Sequence, residues 1–245
     1  MPSQTRPKLY LLPGLGGDSR LFVEQKRYFG DQLLCPDFIP PASHHESLRD
    51  YARRWLDRLV PTPPYFIGGL SFGGMLAMEM AQVAPTPEAV FLIASCRSCA
   101  SIRRRFKVLL GVGGRMPVLA LRGSIGAFGV GLRLLNDLKP EHRQIVHDLA
   151  SHPNLPLLQW AGRAITDWRH DGSCPAPVFQ IHGQRDLVIP LKTGDPDAIL
   201  TTGRHLIQFS HADIVNRYID RRMVECGAAH QRRAASFTPV APSSR

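Results

Sequence analysis

Gly69-Leu70-Ser71-Phe72-Gly73 sets a serine between two glycines, where an apolar run from Tyr65 to Gly69 meets a helical pattern from Phe72 to Ala84. A G-x-S-x-G spacing carries a mechanism only in a strand–turn–helix setting, and that is the setting here. A serine on so sharp a turn takes strained backbone geometry, which the flanking glycines tolerate by leaving room for the neighbouring strand and helix. Its hydroxyl is then presented at the carboxyl edge of a sheet. The helix that begins at Phe72 points free backbone N–H groups and its positive dipole end at the same spot, favouring a developing oxyanion.

A serine hydroxyl is a poor nucleophile at neutral pH, so a histidine base and a carboxylate to orient it are needed nearby. Val178 to His182 reads as a strand, and the loop that follows, His182-Gly183-Gln184-Arg185-Asp186-Leu187-Val188-Ile189-Pro190, puts Asp186 at a carboxyl strand end. After the preceding strand stand Ser95 and Cys96, so no carboxylate competes. Two late histidines, His205 and His211, are candidates for the base. If Ala198 to Thr202 is the last strand, Gly203 makes the turn, His205 follows it, and the closing helix keeps its apolar face. If His211 is the base, the strand is His205 to Phe209 and Ala198 to Gly203 is left as a fragment. The first register is preferred, with His211 kept as the alternative base.

The elements that must hold these residues alternate. Strands are expected near Lys8, at Leu33 to Phe38, Tyr65 to Gly69 and Ala89 to Ala94, with helices at Ser19 to Phe29, Ser47 to Leu59 and Phe72 to Ala84. This order predicts an α/β fold with a mostly parallel central sheet flanked by helices. The alternation lapses between Ser95 and Pro175. The division expected is a core of residues 1–95 and 176–226, a helical cap insertion at 96–175, and a disordered basic tail at 227–245. Helices in the insertion are expected at Arg103 to Leu110, Val118 to Leu121, Ile125 to Leu135, Pro140 to Ala150 and Leu155 to Trp168.

Over about Lys8 to Glu225 the chain resembles the α/β-hydrolase superfamily, with the elbow at Ser71, an H-G-x-x-D-x-x-x-P acid loop and a late histidine in the expected order. It is most similar to small bacterial serine hydrolases that open with P-G-L-G-x-D-x-R-L-F, here Pro13 to Phe22. That resemblance implies the Ser71, His205, Asp186 triad, and its pattern of a histidine after a glycine turn favours His205. It also implies an oxyanion hole made by the backbone N–H groups of Leu15 and Phe72. Pro13 replaces the histidine found in most relatives, and Arg204 a usual glycine. The expected activity is cleavage of a carboxylic ester or thioester through an acyl-enzyme. An acyltransferase using the same triad, or a non-catalytic binding module, is the alternative. No cofactor or metal is expected.

Composition bounds the remaining possibilities. A chain of 245 residues with 44% hydrophobic residues can fill a real core, and its longest apolar runs are far too short to span a membrane. The net charge of +10 comes mainly from scattered arginines, so neither nucleic acid nor stable membrane association is expected. The polar opening suggests a cytoplasmic location. Five irregularly spaced cysteines do not suggest a disulfide framework. Among weaker sites, His182 is expected to anchor the acid loop and Asp18 to cap the first helix. Trp160 and Trp168 share one helix face, for packing or for lining an acyl pocket, and His44, His45, His142, His147 and His152 show no metal pattern joined to a carboxylate.

Overall fold

The computed structural model describes residues 6–102, 137–190 and 196–236, with isolated positions 104, 108, 111, 112 and 131. Six parallel strands form one sheet: β1 (Lys8–Leu12), β2 (Leu33–Leu34), β3 (Tyr65–Leu70), β4 (Ala89–Ile93), β5 (Val178–Gly183) and β6 (Ala198–Leu200), in the order β2-β1-β3-β4-β5-β6. Successive side chains on a strand point to opposite faces, and the core divides accordingly. Tyr10, Leu12, Ile67, Val90 and Leu92 enter one cluster with α2 (Leu48–Leu59) and α3 (Phe72–Val83). Leu9, Leu11, Phe66, Phe91 and Ile93 enter the other, which also takes Val215 and Ile219 from the closing helix.

Local signals set the helices. A short 3-10 turn, Ser19–Phe22, precedes α1 (Val23–Phe29), and Asp18 caps it by accepting from Arg20 N at 2.9 Å. Ser47 caps α2, its hydroxyl accepting from Asp50 N at 3.1 Å, while Leu48, Tyr51, Ala52, Trp55 and Leu56 bury one face. Two expectations need correction. The second strand stops at Leu34, because Pro36 supplies no ladder donor, and Phe38 packs on Trp55 and Phe72 instead of pairing. The closing helix, preceded by the short α6 (Ile207–Ser210), is α7 (Ala212–Ser236), so the expected tail from Gly227 begins as helix. Its Ala and Arg residues are strong helix formers.

Between β4 and β5 lie α4 (Pro140–Ser151) and α5 (Leu155–Asp167), which dock on opposite layers of the core. Trp160 of α5 is fully buried, its ring 4.3 Å from that of Tyr51, and its Nε1 donates to Glu46 O at 2.9 Å. Trp168 is also buried and donates to Glu79 Oε1 at 2.8 Å. On α4, His142 stacks on Phe209 at 4.3 Å and its Nε2 lies 2.8 Å from Glu24 Oε1. Glu141 completes a group of three possible ligands that the sequence spacing did not reveal. Arg27 binds both carboxylates, at 2.9 and 3.7 Å, so a cation already occupies that knot. The helices expected at Val118 to Leu121 and Ile125 to Leu135, and most of Arg103 to Leu110, fall outside the described residues.

Candidate active site

Ser71 stands on the single-residue turn between β3 and α3 at φ 53°, ψ −116°. A non-glycine residue there stores strain of about 1–3 kcal/mol, which the surroundings must enforce. The Ser71 N–H donates to Ile93 O at 3.0 Å, tying the turn to the end of β4, and its carbonyl accepts from Gly74 N at 3.0 Å and from Ser95 Oγ at 2.6 Å. Two glycines allow this closeness. A Cβ on Gly73 would strike the backbone oxygens of Leu12 and Pro13, and one on Gly74 the side chain of Ser95. The loop carrying Leu15 therefore lies against the first turn of α3, whose Phe72 N–H has no partner within the helix.

Asp186 sits in the loop after β5 with its side chain fully buried. Its Oδ1 accepts from Val188 N at 2.8 Å and Ile189 N at 2.9 Å; its Oδ2 is 2.8 Å from His205 Nδ1 and 3.3 Å from His182 Nε2. Burial pushes this carboxyl up. The charge of His205 and hydrogen bonds from His182 and His205 more than offset that, holding it well below the usual carboxylate range. An ionised carboxylate only accepts, so His205 donates its Nδ1 proton to Asp186, and in the neutral ring this tautomer leaves Nε2 as the acceptor. His182 also reaches Ile189 O at 2.8 Å, anchoring the acid loop as expected.

Of the two late histidines, His205 is the one beside Asp186. Leu200 ends the last strand, Gly203 N closes a turn onto Leu200 O at 2.9 Å, and Ile207–Ser210 is helix, so the alternative strand register is excluded. His211 is engaged elsewhere, 3.0 Å from Thr202 Oγ1 and 2.9 Å from Ser210 Oγ. Ser71, Asp186 and His205 all follow carboxyl ends of strands, but among the described hydrogen bonds none joins Ser71 Oγ to His205.

Ser95 draws attention in the sequence only as a position without a carboxylate. Leu158 of α5, one of the insertion's apolar residues, lies beside the first loop, 3.4 Å from a Cβ built on Gly16. A cavity of about 500 Å³ opens elsewhere, between α2 and the end of α5, lined by His44, Arg49, Glu79, Arg163 and Trp168 among others. None of Ser71, Asp186 and His205 lines it.

The sheet order and elbow are those of a hydrolase fold. The alpha/beta hydrolase family model matches residues 9–238, and the chain belongs to that family. No curated protein matches the sequence. Among solved structures, a thermophilic esterase from Thermogutta terrifontis superposes with a TM-score of 0.72 at 16% identity over 91% of each chain. The enol-lactonase from Burkholderia xenovorans LB400 gives 0.66 at 16% identity, over 90% of this chain and 92% of its own. The RedJ thioesterase of the prodiginine pathway in Streptomyces coelicolor gives 0.58 at 21%, over 89% and 91%. Among the described residues, no helix is long and apolar enough to cross a membrane.

Proposed function

We propose that this protein is a serine hydrolase that cleaves a carboxylic ester or thioester through an acyl-enzyme. Ser71 Oγ attacks the carbonyl carbon while His205 Nε2 takes its proton, and the Leu15 and Phe72 N–H groups stabilise the oxyanion. His205 then protonates the departing alkoxide or thiolate. Water, activated by the same imidazole, adds to the acyl-enzyme and releases the acid. Asp186 keeps the imidazole in the tautomer that accepts at Nε2 and stabilises its charged form. The observation that carries the reading is the His205–Asp186 hydrogen bond of 2.8 Å at the sheet edge where a strained Ser71 ends its strand. A serine–histidine hydrogen bond is often long without substrate and tightens in the complex.

The segment 96–175 is read as a cap over this edge. It departs from the end of β4 and returns into β5, with α5 reaching the first loop through Leu158. Its leucines and valines suit neutral or apolar acyl groups. The test of the whole reading is fluorophosphonate labelling with peptide mapping, alongside p-nitrophenyl ester turnover. Ser71 should be the labelled residue, and Ser71→Ala should lose labelling and about 10³-fold or more in kcat while keeping its fold. Labelling of another serine, or unchanged turnover in Ser71→Ala, would overturn it.

A further inference from the structure

We propose that Ser95 is a positioning residue for the oxyanion hole, gripping the Ser71–Phe72 peptide by its carbonyl so that the N–H at the other end is aimed and strengthened. The inference rests on the reading of Ser71 as nucleophile and Phe72 N–H as oxyanion donor. A peptide unit is planar and trans, so its C=O and N–H point in opposite directions. A donor on the oxygen therefore fixes the direction of the N–H and polarises it.

Three observations single out Ser95. It is buried, and its Oγ donates to Ser71 O at 2.6 Å, although that oxygen already accepts from Gly74 N at 3.0 Å and Met75 N at 3.3 Å. Satisfying a buried carbonyl did not require it. Ala94, just before it, is held at φ 44°, a left-handed conformation that alanine rarely takes, and this turn swings Ser95 back toward the elbow. The space its hydroxyl fills exists because Gly74 has no Cβ.

The grip is itself braced. Ser95 O accepts from Gln180 Nε2 at 2.9 Å, and Gln180 is a polar residue buried within β5. Its Oε1 accepts from Arg97 Nε at 3.3 Å; its backbone N–H donates to Asp197 Oδ2 at 2.7 Å, where Arg97 also donates at 2.7 Å. A continuous polar chain thus runs from a surface ion pair through β5 to the nucleophile's own peptide.

The experiment compares the native protein with Ser95→Ala and Ser95→Thr, using p-nitrophenyl butyrate turnover and two inhibitors. An alkyl trifluoromethyl ketone forms a tetrahedral adduct that needs the oxyanion hole; the matching methyl ketone occupies the site without one. Loss of an oxyanion donor costs about 10²–10³-fold in kcat, and a donor weakened but present costs a fraction of that, so Ser95→Ala should lower kcat about 3- to 10-fold. KM and methyl ketone affinity should stay within about 2-fold, while trifluoromethyl ketone affinity falls in step with kcat. Ser95→Thr, which keeps the hydroxyl, should recover most of the rate. Should Ser95→Ala not fold, Arg97→Ala, which loosens the brace from the surface, is expected to show the same pattern at smaller size. Unchanged kcat, or equal losses for both ketones, overturns the inference while labelling of Ser71 still stands; a native protein that fluorophosphonate does not label at Ser71 overturns both.

Discussion

His205 faces a buried carboxylate and His211 a threonine hydroxyl, and this difference sets what each substitution should cost. His205→Ala is expected to lose about 10³-fold or more in kcat, at least as much as Asp186→Asn, which leaves the ring but not its tautomer. His211→Ala should stay within about 3-fold of native, since only local helix-start contacts go. A reversed order in steady-state turnover would show that the base is His211. The Ala198–Leu200 strand and the turn at Gly203 were legible in the sequence and favoured His205, while His211 stayed open as the alternative; the Asp186 contact decides between them. Ser95 was not legible. Its contact joins residues on different strands through a backbone oxygen, and no pattern of residue types announces such a bond.

Elements divide the work of α5 between stability and selectivity. Trp160 shares a face with Trp168 in the sequence, but Trp160 itself packs on Tyr51 and Phe72 and is fully buried. Trp160→Ala should therefore destabilise by about 3–5 kcal/mol in denaturant unfolding, with little change in relative rates among acyl chain lengths. Leu158, beside the first loop, should behave oppositely: Leu158→Ala shifts the chain-length preference in kcat/KM by about 10-fold at modest cost in stability. A uniform slowing of all esters would argue against α5 as a wall of the site. Periodicity located α4 and α5 to within a residue or so at each end, because both carry clean apolar faces. It failed at Gly227, where composition read as disorder what helix propensity continues as α7.

Across the whole molecule, the buried Asp186 links the site to acid stability. An unfolded aspartate titrates at about 3.9, and the folded group lies lower, so its contribution is complete above that value and drains as pH falls toward the folded one. Tm should therefore hold down to about pH 4 and fall progressively below it, and Asp186→Asn should flatten that limb. An equally steep limb in the variant would place the acid sensitivity elsewhere. The sheet that carries the site also has a consequence for how copies of the chain meet. β2 pairs through Leu33 and Leu34 alone and β6 through Ala198 to Leu200, so each margin ends almost as soon as it begins. Leu34 and Ile199 are exposed on those margins at 40% and 49%. A longer open margin bearing such residues would be a template for foreign strands; along the described sheet an incoming chain finds too few backbone groups at either margin to hold.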